Sequence, residues 1–344
     1  MAADLTSVPQ SDPLRVYRYR DGLYAADLLT AAVVYLDFFT WLGANPSTKE
    51  EICARFEFAE RPTDVMLTLL AANGFVERLA DGKFHTTLTA KEHLTAGSPW
   101  CLSPYYASLK DRPITQDYLK VLSTGRPANW GGDKAAQDWH KAMETDAFSR
   151  SFTAAMDCRG FYLGQALAKK VDLGGRKHLL DIGGGSGIYS CSLVAHHAEL
   201  KATVFEQAPV DRITQRCIVE RGYPDRVFVA TGDMFNDPLP TDADVHLFSN
   251  VLHDWDYPEV RELLAISHKA LAPGGLLIIH DAFINEAKNG PLPVAEYSAL
   301  LMHSTQGKCY GVGEYAELLR EAGFEPGAYH DTAADRGFMT AIRR

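Results

Sequence analysis

The chain has 344 residues, 46% of them hydrophobic, a length at which a single core usually stops growing, so two domains are expected. Its formal net charge of −10 disfavours any partner bound through its phosphates, nucleic acid above all. Six scattered cysteines (Cys53, Cys101, Cys158, Cys191, Cys217, Cys309) form no C-x-x-C pair or zinc-like spacing, so no metal is expected. The polar opening MAADLTSVPQSDP has no apolar leader, and no run reaches the about 18 apolar residues of a membrane span, which predicts a soluble cytoplasmic protein without a membrane partner.

From Tyr24 to Leu42 apolar residues dominate, predicting one largely buried helix that ends at Gly43 and Asn45-Pro46. Ser47-Thr48-Lys49-Glu50 reads as a capping box, a hydroxyl with Glu three residues on, opening a helix through Ile52, Cys53 and Phe56. A second helix begins near Pro62, carries Val65, Met66, Leu69 and Leu70 at helical spacing, and stops at Asn73-Gly74. FVERLA and KFHTTLT flank Asp81-Gly82, a tight-hairpin signal. Helix, turn, helix and hairpin together predict a winged helix over residues 1–115.

Residues 116–170 read as linking helices that line a cavity, with Trp100, Tyr105, Tyr106, Tyr118, Trp130 and Trp139 set among Pro and Gly from residue 99 onward and a helix from about Asp146 to Lys170. Over residues 171–344 short apolar runs alternate with helix-length segments, which predicts an α/β domain with a mostly parallel, Rossmann-like sheet of seven strands. The strand candidates are HLLDIG, KATVFE, RVFVATGD, DVHLFSNVL and GGLLIIHDAF, closed by YHDT and FMTAIR.

The run Leu179-Leu180-Asp181-Ile182-Gly183-Gly184-Gly185-Ser186-Gly187 sets an acid and four glycines where an apolar strand gives way to a helix. That is where α/β sheets bind ligands, because glycines allow close backbone approach and the helix N-terminus offers N–H donors. A dinucleotide fingerprint would need a third glycine, but Ile188 and Ser190 occupy the positions three after Gly185 and Gly187. The pattern present, D-x-G-x-G-x-G, instead resembles the first motif of class I S-adenosylmethionine (SAM)-dependent methyltransferases, which implies that Asp181 helps to position the methionine amino group. Glu206 ends the second strand, where a carboxylate could accept hydrogen bonds from both ribose hydroxyls. By the same resemblance Asp233 would read the adenine amino group and Met234 would pack on the ring.

Ser249-Asn250-Val251-Leu252-His253-Asp254-Trp255 follows the fourth strand, on the ligand edge of the sheet. Methyl transfer to a hydroxyl needs the acceptor oxygen held in line and its proton removed, and a neutral imidazole suits a phenol whose unperturbed pKa is near 10. His253 is the candidate base. Asp281, emerging from Leu276-Leu277-Ile278-Ile279-His280, is placed to orient it; Asp254 is the rival acid, otherwise a local cap or cofactor contact. Trp255 would cover the adenine or pack behind it, and His280 reads as a core residue.

The winged-helix front, DIGGGSG, GDMF, VLHDW, LAPGG and EAGF together resemble the plant-type and hydroxyindole-type small-molecule O-methyltransferases and their bacterial relatives over nearly the whole chain. The resemblance implies SAM as cofactor, a homodimer built through the N-terminal domain, and an acceptor pocket formed by Met143, Phe152, Met156, Tyr162, Asp254, Phe283, Met302, His303 and Cys309. One departure concerns chemistry. Where many members carry G-[KR]-E-R-T, this chain reads Gly307-Lys308-Cys309-Tyr310-Gly311, so Cys309 replaces the second acidic flank of the base. Ser249, at the cofactor edge, and Asn250 differ from the basic residue often found before LHDW. C- or N-methylation, or SAM-dependent chemistry without methyl transfer, therefore stay open beside O-methylation. A winged-helix regulator using SAM as effector is disfavoured by a recognition helix with a single Arg at its start.

Overall fold

The computed structural model describes residues 4–128, 143 and 145–344. Trp130 and Trp139 of the expected cavity-lining stretch lie outside the described residues. Two compact units emerge, each discontinuous in sequence: Met1–Arg15, Asp138–Phe283 and Val312–Arg344 form one, and Val16–Gln137 with Ile284–Gly311 form the other.

The second, mainly helical unit contains α1 (Leu14–Asp21, which straddles the boundary), α2 (Ala25–Thr30), α3 (Phe38–Ala44), α4 (Lys49–Phe56), α5 (Glu60–Ala72), α6 (Leu88–His93), α7 (Ser103–Tyr106) and α8 (Pro113–Thr124). A two-stranded antiparallel hairpin, β1 (Val76–Arg78) and β2 (Phe84–Thr86), follows α5, with Gly82 at φ +83° in its turn. Helix, helix and hairpin thus occur in the predicted order. The single helix expected from Tyr24 to Leu42 is broken: α2 runs into a π-turn at Ala31–Tyr35, Asp37 takes a left-handed φ of 45°, and α3 starts afresh. An aspartate tolerates that conformation, and here its carboxylate accepts the Thr40 hydroxyl at 2.5 Å. The capping box also sits one residue later than predicted, on Thr48 and Glu51, because Ser47 is drawn into a β-bridge with Phe84. Among the described residues no single helix is long and apolar enough to cross a membrane.

α5 is buried along most of its length, from Arg61 to Leu70 with Asp64 as a half-buried exception. Arg61 donates to the carbonyls of Gly307 (2.7 Å) and Gly125 (2.6 Å), and Asp64 pairs with Lys288 (2.9 Å) and Lys308 (2.6 Å). Those partners explain why residues 284–311 join the N-terminal unit rather than following the linear boundary at 171. Lys308 is fully buried, and the two ammonium groups overcome burial to hold the Asp64 carboxyl well below its ordinary range. Removing the carboxylate takes the 2.6 Å counter-charge from the buried Lys308 ammonium, so Asp64→Ala is expected to cost about 3–5 kcal/mol in chemical denaturation, against a smaller loss for Asp64→Asn.

Among its described residues the other unit contains α9 (Asp146–Lys170), whose bounds match the prediction. It continues as β3 (His178–Ile182), α10 (Ile188–His196), β4 (Lys201–Glu206), α11 (Val210–Arg221), β5 (Val227–Thr231), β6 (Val245–Ser249), α12 (Tyr257–Ala270) and β7 (Leu276–Asp281). After α13 (Leu292–Ser304) in the helical unit come α14 (Val312–Glu321), β8 (Phe324–Asp331) and β9 (Gly337–Arg343). The sheet has seven strands in the order β5-β4-β3-β6-β7-β9-β8. β5 to β7 are parallel, while β9 pairs antiparallel with both β7 and β8. Every residue of β6 and β7 is buried, as expected for central strands covered by helices on both faces. The strand order reverses between β3 and β6, the place where open α/β sheets bind ligands, and Asp181, the glycine loop, Glu206, Asp233, Ser249, His253 and Asp281 lie at or just beyond the C-terminal ends of the parallel strands.

Candidate active site

The glycine loop leaves β3 and delivers the chain to α10. Gly183, Gly185 and Gly187 all have positive φ (68°, 56° and 72°), a path that side-chain-bearing residues rarely follow. Gly184 is required for another reason: a Cβ there would lie 2.6 Å from the Asp181 carboxylate. The Gly185 N–H donates to Glu206 Oε2 at 3.0 Å and the Gln207 N–H to Oε1 at 2.9 Å, so the acid at the end of β4 faces the loop after β3. Asp181 Oδ2 accepts the Ser190 hydroxyl at 2.8 Å. Asp181 is fully buried and Glu206 half-buried, and desolvation pushes Asp181 up to about 6 and Glu206 up to about 7. Beyond β5, Asp233 Oδ1 and Oδ2 accept the Phe235 N–H and the Asn236 side-chain amide, each at 2.8 Å. Met234 reaches the loop, its sulfur 3.7 Å from where a Gly183 Cβ would stand. Trp255 is buried and meets Phe235 edge-on, with ring centroids 4.7 Å apart.

His253 occupies a 3₁₀ turn, Leu252–Asp254, just after β6, and is buried. Its Nδ1 hydrogen-bonds Asp281 Oδ1 at the end of β7, and its Nε2 lies 3.6 Å from Asp254 Oδ1. The two acids therefore address different ring nitrogens. Asp281 also accepts the Ala282 N–H (2.7 Å) and the Tyr315 hydroxyl (3.3 Å). Burial would raise the Asp281 carboxyl, but the adjacent His253, the Ala282 N–H and the charge of Arg336 hold it below the ordinary carboxylate range. Asp254 behaves oppositely: burial dominates and pushes it up to about 6. Behind the pair, His280 Nδ1 and the Ser249 hydroxyl are 2.9 Å apart, and burial lowers that imidazole to about 3, a neutral core residue as its strand context predicts.

A model of the O-methyltransferase domain matches residues 124–325, more than half of the chain. The 3-hydroxy-5-methyl-1-naphthoate 3-O-methyltransferase of Streptomyces sahachiroi is 30% identical over 88% of this chain and 86% of its own length. The chain belongs to the SAM-dependent O-methyltransferase family. The tetracenomycin polyketide synthesis 8-O-methyl transferase of Streptomyces glaucescens is 29% identical over 88% of each chain. An O-methyltransferase family 2 protein from Planctomyces limnophilus, solved in complex with apigenin, aligns over 100% of both chains with a TM-score of 0.89 at 28% identity.

The site chemistry fits the family's cofactor. Asp181 Oδ1 is buried and accepts no hydrogen bond among the described residues, which leaves it open to a ligand N–H donor. Glu206 is a half-buried acid whose oxygens have lone pairs beyond the two backbone donors, suited to ribose hydroxyls. Of the expected acceptor residues in the O-methyltransferase unit, Met143 and Phe283 are buried, and Phe152, Met156 and Tyr162 lie half-buried on α9. Met302, His303 and Cys309 belong to the helical unit. There His303 Nε2 is 3.3 Å from Asp117, its ring meets Tyr24 and Tyr118, and the Cys309 N–H donates to Ser298.

Several residues at this edge carry no motif. The Asn250 side-chain amide donates to the Tyr189 hydroxyl at 3.0 Å, Tyr315 supports Asp281, and the charges of Arg159 and Arg336 act on the buried polar groups around His280. Only Asn250 had a signal, as a departure from the basic residue near LHDW. Because burial raises Glu206 above its unfolded value, the native state holds an extra proton between about pH 4.5 and about 7, and stability is lost as pH rises through that window. Ligand-free Glu206→Gln is accordingly expected to gain melting temperature relative to the parent protein between about pH 5 and pH 8. A pH-independent difference in scanning fluorimetry would contradict the assignment.

Proposed function

We propose that the protein transfers a methyl group from SAM to a hydroxyl of a small aromatic acceptor, phenolic, hydroxyindole or polyketide-like, with His253 as general base. The observation that carries this reading is the buried His253–Asp281 hydrogen bond at the strand edge that also bears the glycine loop. A carboxylate on Nδ1 keeps the proton there, so Nε2 presents its lone pair and can take the hydroxyl proton. The cofactor, when bound, supplies an electrophilic methyl on a sulfonium. Asp181 and Glu206 would hold its ammonium and ribose, with Asp233, Met234, Ser249 and Trp255 assigned to it as well. Met143, Phe152, Met156, Tyr162, Asp254 and Phe283 are assigned to the acceptor. The hydroxynaphthoate and polyketide activities of the two Streptomyces relatives support an aromatic acceptor.

The regulator alternative loses ground because α5 spends its only arginine on internal carbonyls and buries most of its surface, leaving little to offer a phosphate backbone. We also infer a homodimer formed through the helical unit, supported by the exposed apolar side chains Tyr19, Trp100 and Tyr105 (62–90% exposed).

Methyl-labelled SAM offered with phenols, hydroxyindoles and hydroxynaphthoates is expected to give labelled methoxy products. Label on carbon or nitrogen would overturn the hydroxyl assignment. His253→Ala is expected to lower kcat about 10²–10⁴-fold while leaving S-adenosylhomocysteine affinity within about threefold; Asp281→Asn should lower kcat in the same sense. An unchanged rate for His253→Ala removes the base.

A further inference from the structure

α9 and α10 pack closely. A Cβ on Gly160 would fall 2.4 Å from Ile188 Cγ2, and one on Gly164 would fall 2.8 Å from Ser192 Oγ. α10 starts directly after the glycine loop, so α9 lies against the helix that the loop opens. One turn before Gly160, Asp157 reaches the loop itself. Its Oδ1 accepts the Ser186 hydroxyl at 2.5 Å and also an N–H of the Arg221 guanidinium. Arg221 closes the triangle by donating its other terminal nitrogen to the Ser186 carbonyl at 3.2 Å. The Arg221 side chain is 11% exposed and sits at the end of α11, the helix whose Thr214 hydroxyl bonds the Gly185 carbonyl. A charge-assisted, largely enclosed triangle of this kind fixes geometry more firmly than a neutral surface contact.

The same stretch of α9 carries chemistry on either side of Asp157. Phe152 and Met156 precede it, and Arg159 follows, with a charge that acts on Asp254, Tyr189 and His280. We infer that Asp157, Ser186 and Arg221 are positioning residues that lock this turn of α9 to the cofactor loop, so that ordering of the loop by the methyl donor also sets the acceptor-side helix. The inference rests on the proposed methyl-transfer reading only for its kinetic consequence; the coupling itself is separate.

The test is hydrogen exchange by mass spectrometry with and without S-adenosylhomocysteine, run beside kinetics. In the parent protein the ligand should slow exchange over residues 183–190 and also over residues 148–162. In Asp157→Asn the first effect should persist and the second shrink by about half or more, with kcat down about 10–100-fold and S-adenosylhomocysteine affinity changed by less than about threefold. Ser186→Ala, which keeps the Arg221–Asp157 pair, should show the same pattern more weakly and serves if Asp157→Asn fails to fold. Ligand protection over 148–162 that is absent in the parent protein, or unchanged in both variants, overturns the coupling. So does a parallel loss of affinity and kcat, which would mean that the triangle shapes the loop alone. A parent protein that shows the protection pattern but methylates nothing would sink the proposed function and leave the coupling standing.

Discussion

A buried imidazole keeps one tautomer only while something fixes which nitrogen holds its proton, and for His253 the Nδ1 partner is one carboxylate at the end of one strand. Asp281 is the last residue of β7, and His253 lies just past the end of β6, the strand beside it. Parallel pairing therefore delivers both to the same edge by backbone hydrogen bonding alone, before any side chain contributes. The Asp281 carboxyl is then held below its ordinary range by His253, the Ala282 N–H and the charge of Arg336, although burial works against it. Asp254, on the far side of the ring, lacks that support and is raised. Two carboxyls within reach of one imidazole thus differ in protonation preference because their donors differ, the pattern by which acid–base roles are separated in active sites.

The parts of this arrangement that were legible in sequence are those written in a local pattern. Apolar runs located all seven strands, and the bounds of β4 and α9 matched. Glycines and acids at strand ends marked the loop because backbone conformation there depends on residue type. What escaped notice was set by distant partners. Ser47 looks like a cap until Phe84 recruits it into a bridge, and the break at Asp37 falls inside an unbroken apolar stretch. Asp157 and Arg221 are unremarkable charged residues on helix surfaces until folding joins them across 64 positions. Residues 284–311 follow the parallel strands in sequence but pack with the N-terminal helices, a choice made by contacts such as Arg61–Gly307 and Asp64–Lys308.

The cysteine at 309 illustrates the limit of motif substitution. Its sequence position suggested a missing acidic flank, and a loosely held base would follow if that flank were the only support. His253 instead has its Nδ1 engaged by Asp281 and a second carboxylate, Asp254, on its Nε2 side. Within the sheet unit, a carboxylate at the end of β7 thus already fixes the Nδ1 side of the ring.

The cofactor edge completes the energetic picture. Each tenfold change in acidity corresponds to about 1.4 kcal/mol, so carboxyls moved from ordinary values to about 6 and about 7 represent several kcal/mol of unfavourable desolvation at Asp181 and Glu206. A folded protein carries such groups when another component supplies the missing donors, and an ammonium and a pair of hydroxyls would do so here. Ligand binding then draws on free energy already invested in the fold, because these acids need no further desolvation when the donors arrive. The same enclosure explains the glycine at 184: any side chain would collide with the Asp181 carboxylate and disturb an acceptor held ready at the crevice edge. Loop geometry, the desolvated acids and the His253–Asp281 pair are consequently one construction, organised by the C-terminal ends of four adjacent parallel strands.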